Sequence, residues 1–329
     1  MKRKVYFDKK EGCTEIAVTD DGVLQHFYRL DDGFLTGSIF VGKVKFVKKQ
    51  VGIFVDIGME KDGLLSYRDG LKPGDMVIVQ VSKERTEEKG CALTEKLTLA
   101  GRFVVLNDVG EYKFSHKLTE EKKIDLFGAP RKENVGFIFR SSCEYVTKEE
   151  VFSECQMLTE GYEKIVASAK NVGKVTCVRR ENAEDVARHF AFSDDDVCEG
   201  FAEIAEQVKG LSDRKVYVEG VELVFDKTEA MTVVDVNLHR YEKQYADVET
   251  ANFRADLLAV KELARQLRLR NVGGIIMVDF ISLKKRENVG KLKEELEKEL
   301  KKDNVRTSVE LVESIGMFAI VRKQRYAAL

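Results

Sequence analysis

Two stretches of the chain carry acids where strands ordinarily have none. In TVVDVN (232–237) a β-branched run ends on Asp235, with Asn237 two residues on; in GGIIMVDF (273–280) Asp279 closes a second apolar run. Side chains alternate along a strand, so Val233, Asp235 and Asn237 share one face, as do Ile275, Met277 and Asp279. Aspartate has low strand propensity, so something other than local preference selects it. A carboxylate at the end of a buried strand needs a partner, because burying it uncompensated costs several kcal/mol. Three partners meet the need. One is a turn or helix-cap role, and one is a salt bridge to an arginine. The third is a shared Mg²⁺, a hard cation held by oxygen ligands and commonly by only one or two carboxylates plus water.

The elements around these acids decide whether they can meet. They lie 44 residues apart (279 − 235). With a helical crossover between them, the two strands would be parallel neighbours and the acids would converge. The intervening sequence predicts such a helix over about 249–270, with Phe253, Leu257, Val260, Ala264 and Leu267 stepping by four and three along one face. Arg268 and Arg270 suit the last turn, and Asn271 with Gly273-Gly274 ends it. A second helix is expected over about 285–302, with Val289, Leu292, Leu296 and Leu300 aligned. Strands VRTSVELV and MFAIVRK follow.

Upstream, 37–96 reads as five short strands broken by Gly, Asp or Pro-Gly, the pattern of an OB-fold barrel. Residues 1–36 alternate and break at Asp-Asp-Gly, a hairpin signal. Helices are expected over 151–169, 184–192 and 195–208. Only Pro73 and Pro130 occur, and no low-complexity linker separates the parts, so domains must be joined by short connections or nested.

Composition narrows the function classes. The 329 residues are 43% hydrophobic and 34% charged, enough for two or three domains. A net charge of −2 means that nucleic-acid binding must come from local patches, such as Lys43, Lys45, Lys48 and Lys49 in VGKVKFVKKQ. The six cysteines form no CxxC pair and no zinc spacing. No apolar run approaches the ~20 residues of a membrane span, and the basic N-terminus lacks the apolar core of a signal peptide. No membrane span and a cytoplasmic location are the expectation.

The stretches AMTVVDVN, ETANFRADLLAVKELARQLRLRNVGGIIMVDF and VRKQR together resemble the catalytic core of the ribonuclease E/G family. GSIFVGKVKFVKKQVGIFVDIGMEKDGLL and KERTEEKGCALTEKLTLAGRFVVL resemble its inserted RNA-binding barrel and the start of its 5′-end sensor. The resemblance implies a multidomain α/β fold. A split RNase H-like subdomain (1–36 and 161–220) carries an OB-fold insertion (37–96) and a 5′-sensor segment (97–160), and a DNase I-like catalytic subdomain (221–329) follows. It implies endonucleolytic cleavage of single-stranded RNA in processing or decay, giving 5′-phosphate and 3′-hydroxyl ends. Asp235 and Asp279 would hold Mg²⁺, with Mn²⁺ as a substitute, and Asn237 would contact the scissile phosphate or orient the attacking water. Phe54, Leu64 and Lys89 would contact RNA, Leu64 standing where the family usually has an aromatic. Gly101, Val105, Arg140, Ser141 and Arg306 would form a 5′-monophosphate pocket.

The family's small residue after the asparagine is Leu238 here, and no CPxC zinc motif follows VRKQR. No zinc is therefore expected, and a monomer or a dimer of another kind is. Two rival readings stand beside the nuclease: a non-catalytic RNA-binding protein that keeps the fold, and a ribosome-associated OB-fold protein.

Overall fold

The computed structural model describes residues 2–84, 90–238, 247–303 and 305–323. The chain forms two compact units, one of residues 1–29 and 199–329, the other of residues 30–198.

An antiparallel meander opens the chain: β1 (Arg3–Lys10), β2 (Cys13–Asp20) and β3 (Val23–Asp31). The β2–β3 turn is Asp21-Gly22, both residues at positive φ (50° and 82°). This is the hairpin turn that matches strand twist and that Asp-Gly favours.

In the unit of residues 30–198, β4 (Ile39–Lys48), β5 (Gly52–Asp56), β6 (Gly63–Leu65), β7 (Met76–Lys83) and β8 (Ala92–Thr94) form a closed barrel. β4–β5, β5–β6, β7–β8 and the closing β4–β7 pair are antiparallel, while β6 and β8 run parallel. This is the OB-like barrel expected for 37–96. Alternation sends Ile53 and Val55 inward with Val44, Leu65, Val79, Val81 and Leu93, and closure leaves these strands no free edge among themselves.

β9 (Thr98–Ala100), β10 (Val104–Asn107), β11 (Lys113–Phe114), α1 (Glu120–Leu126) and β12 (Gly136–Phe139) follow, then α2 (Lys148–Lys170). The sheet order is β11-β12-β10-β9. α2 starts at a capping box, Thr147 Oγ1 accepting from the Glu150 amide and the Glu150 carboxylate from the Thr147 amide. Its Val151 and Cys155 pack with Phe137, Phe139 and Leu106. Gln80 joins barrel to sheet: its buried amide donates to Gly37 O and Thr98 O and accepts from Thr98 N.

β13 (Thr176–Arg179), α3 (Ala183–Arg188), β14 (Val197–Glu199) and α4 (Ala205–Lys209) complete this stretch. Of the helix expected over 195–208 only the end forms, as α4. Asp194–Asp196 is a 3-10 turn closed by the Asp196 carboxylate on the Ser193 amide, and Gly200 at φ 76° breaks the chain again.

The second sheet of the other unit is built from β15 (Lys215–Val218), β16 (Val221–Lys227), β17 (Met231–Leu238), β18 (Gly274–Asp279), β19 (Thr307–Val312) and β20 (Met317–Arg322). α5 (Val248–Leu269) links β17 to β18, and α6 (Arg286–Leu300) links β18 to β19. The order is β15-β16-β17-β18-β20-β19, with β17 and β18 parallel. α5 and α6 share one core with Val234, Val236, Ile276 and Val278. Leu263 and Leu267 are fully buried there, each contributing about 1.5–3 kcal/mol. α5 ends in a Schellman motif: Val272 N donates to Leu267 O, Asn271 N to Arg268 O, and Asn271 takes φ 47°.

Candidate active site

Asp235 and Asp279 are register partners on the parallel strands β17 and β18, so the 44-residue crossover brings the two acids side by side. The expectation of buried strand ends needs a correction. Both acids are exposed, on the sheet face opposite α5 and α6. Because both helices cover one side only, Thr232, Val234 and Val236 take the core and Asp235 and Asn237 take the other face. The desolvation that would have demanded a cap or an arginine is therefore small. Asn237 Nδ2 donates to Asp235 Oδ2 at 2.7 Å, fixing that carboxylate.

Glu222 lies opposite Asn237 at the start of β16, a position that no sequence pattern sets apart. Its carboxylate is engaged by Lys215 at 2.9 Å and by the Tyr217 hydroxyl. Among the described residues no cluster of three or more acidic, His or Cys side chains is placed to hold a metal. Two carboxylates in the open, one steadied by an amide, fit a Mg²⁺ that keeps most of its water.

The loop leaving Asp279 is pinned from α5. Asp256 Oδ1 accepts from Ile281 N at 3.0 Å, and the Glu249 carboxylate accepts from Lys284 N and Lys285 N. Asp256 is fully buried, its Oδ2 has no hydrogen-bond partner among the described residues, and burial pushes its carboxyl up to about 8.

On the barrel, Phe54 points outward and not into the core. It stacks on Phe46 at 4.3 Å between ring centroids, and Lys48 Nζ lies over both rings. Leu64 pairs with Phe54 across β5–β6 and is 37% exposed, beside Phe46 at 38%. Phe46, missed in the sequence, sits opposite Phe54 only because a bulge between Val44 and Phe46 shifts the register. Lys89 lies outside the described residues.

Around the expected end sensor, Arg140 Nη1 donates to Gly101 O at 2.6 Å and to His189 O at 2.9 Å, and Ser141 opens a 3-10 turn. Val105 is half-buried on β10. Glu154, reaching over from α2, accepts from the amides of Arg102, Phe103 and Val104. A Cβ at Gly101 would come within 2.6 Å of that carboxyl carbon, which is why the loop needs glycine there. Glu154→Ala strands three amides and is expected to cost about 3 kcal/mol or more, read as a lower urea midpoint. Arg306 belongs to the other unit.

Two of the cysteines, Cys143 and Cys155, are buried as thiols. Burial pushes the Cys143 and Cys155 thiols up to about 12. Among the described residues no helix is long and apolar enough to cross a membrane.

A family model described as the ribonuclease E/G family matches residues 98–197 and 184–325, together more than half of the chain. Ribonuclease G of Escherichia coli (strain K12) is 26% identical over 385 aligned residues, covering 94% of this chain and 78% of the relative. Ribonuclease G of Haemophilus influenzae is 25% identical, covering 96% and 78%. Ribonuclease E of Nostoc sp. is 26% identical, covering 88% of this chain and 51% of its own length.

Proposed function

This chain belongs to the ribonuclease E/G family, and from that premise we propose that it is a Mg²⁺-dependent endoribonuclease acting on single-stranded RNA, with Asp235, Asn237 and Asp279 at its centre. The observation that carries the proposal is the side-by-side register of Asp235 and Asp279 on one open sheet face, with Asn237 bonded to Asp235. Asp235 and Asp279 would hold the cation, which when bound supplies Lewis acidity at the phosphate and a water of lowered pKa.

The chain's own residues do the rest. Asn237 uses one amide hydrogen to orient Asp235 and has a second for a phosphate oxygen or the attacking water. Water oxygen bonds to phosphorus, the P–O3′ bond breaks, and the 3′-oxygen leaves with a proton. The products are a 5′-phosphate and a 3′-hydroxyl.

The paired aromatics Phe46 and Phe54, with Lys48 above them, suit base stacking on a single strand. Phe54→Ala is expected to weaken binding of single-stranded RNA about tenfold by fluorescence anisotropy, and Phe46→Ala to do much the same.

A 5′-monophosphate would stimulate cleavage through Arg140 and Ser141. The loop amides beside them are taken by Glu154, so side chains and not that loop would meet the phosphate. The finer architecture follows the family: an RNase H-like subdomain from 1–36 and 161–220, the barrel at 37–96, the sensor at 97–160 and a DNase I-like subdomain at 221–329. The α5–α6 layer on one side of a six-stranded sheet supports the last of these.

The test is incubation of 5′-phosphorylated and 5′-hydroxyl single-stranded RNA with Mg²⁺ or EDTA, followed by end analysis. Cutting in Mg²⁺ alone, faster on the phosphorylated strand, is expected. RNA bound and never cut would leave the chain a non-catalytic RNA-binding protein.

A further inference from the structure

A cleft of about 500 Å³ opens directly beside Asp279, which stands in its wall. Three segments of the same unit make it: the loop after β18, the first turns of α6, and the β19–β20 hairpin. Its floor is apolar, from Leu283, Val289, Leu311 and Phe318. Its rim is charged, with Arg286 and Lys293 on α6 facing Glu313 at the hairpin. Among the described residues Arg286 has no carboxylate within ion-pair distance, while Lys293 reaches Glu297 only at 4.0 Å.

The wall is held in place before any ligand arrives. Asp256 fixes the Ile281 amide, and Glu249 fixes those of Lys284 and Lys285. The volume lies within the ~300–1,000 Å³ of small-ligand clefts. The cleft also sits outside the carboxyl end of β18, the end of a parallel strand at which open α/β sheets bind their ligands.

We propose that this cleft takes the splayed-out base of the nucleotide next to the cleaved phosphodiester, with Arg286 against its phosphate or its ring. The inference rests on the nuclease reading of Asp235 and Asp279. An apolar floor accepts the faces of a base, which single-stranded RNA can turn out of its stack. A guanidinium at the rim matches the strand's negative charge and stacks on planar rings. The occupied cleft would set the scissile phosphate at a fixed distance from Asp279, so its loss should fall on cleavage efficiency at one register of the RNA.

Gly290 supplies the test. It lines the cleft, and a Cβ added there meets nothing within 4 Å, so Gly290→Phe fills the cleft without touching the backbone. Ile315→Trp fills it from the hairpin side, where Ile315 is 59% exposed. Gly161→Phe, at an equally open glycine of α2, is the matched control.

The substrates are single-stranded RNAs with one abasic nucleotide at each of the three positions on either side of the cut. Wild type and the control should lose about tenfold in kcat/KM at one position adjacent to the cut. Whichever filled variant keeps the wild-type circular-dichroism melt should show that same loss on intact RNA and no further loss at that position. Wild type indifferent to every abasic position overturns the subsite alone. So does a folded filled variant that cuts intact RNA as wild type does. A wild type that cuts no RNA in Mg²⁺ overturns both the subsite and the nuclease reading.

Discussion

Asp279→Asn is expected to cut single-stranded RNA at least about 100-fold more slowly than wild type in Mg²⁺, while binding it with a Kd within about threefold. Asn keeps the shape of the side chain and removes the charge. Transition-state stabilisation by a metal site is worth several kcal/mol, and each 1.4 kcal/mol is tenfold in rate. Asp235→Asn should do the same. The double variant should be scarcely slower than either single one, because the two acids, if they share one cation as proposed, would act as a unit. Binding should survive because the stacked Phe46–Phe54 pair lies on the barrel and contains neither acid. Single-turnover rates with anisotropy titrations check both halves. An Asp279→Asn protein that cuts at the wild-type rate would remove the carboxylate pair from the mechanism.

The second large effect concerns stability. The Asp256 carboxyl is raised by burial from 3.8 to about 8. Between those values the unfolded chain has released the proton and the folded chain still holds it. Stability therefore falls as pH rises from about 4 towards about 8, then levels off. Four units at about 1.4 kcal/mol each bound the loss at roughly 6 kcal/mol. Asp256→Asn is neutral at every pH and can still accept from Ile281 N, so it should lie within about 2 kcal/mol of wild type at pH 5 and be roughly 3–5 kcal/mol more stable at pH 8. Asp256→Leu abandons the Ile281 amide and should lose stability at pH 5, by about 1–3 kcal/mol. Urea midpoints of the three proteins at the two pH values decide it. Parallel pH curves for wild type and Asp256→Asn would mean that Asp256 is ionised in the folded protein.

Periodicity made the helices around the acids legible. α5 and α6 came out within two residues of their expected ends because apolar spacing marked both and Asn271 with the glycine pair stopped α5, although α6 has no side-chain cap at its start. Val260, Ala264 and Leu267 of the expected stripe are buried, but the buried face of α5 is wider than that stripe. Ala255, Asp256, Ala259 and Leu263 are buried, while Phe253 and Leu257 lie at the margin. Small residues fill a tight helix–sheet contact, and a hydrophobic stripe undercounts them. The short elements of 195–208 were not legible because three successive aspartates and Gly200 act through local hydrogen bonds and φ. At the site, strand alternation gave the shared face of Asp235 and Asn237, and a crossover of ordinary length gave the convergence with Asp279. Which face stayed open depended on both helices packing on one side, a tertiary fact. Phe46 needed the bulge, and Glu154 needed a contact 50 residues long to Val104.

The register of the acid pair is set by a ladder. Five residue pairs, from Met231 and Ile275 to Asp235 and Asp279, join β17 to β18. A slip of one residue would turn one acid toward the helices while the other still faced out. No fragment containing one strand can carry half of the centre. A collapsed state with α5 and α6 formed but the strands unzipped would retain helical circular dichroism and have no centre at all. Cleavage is thus a stricter gauge of native structure than any helical signal. On heating, it should disappear with the sheet and return only when that register is restored.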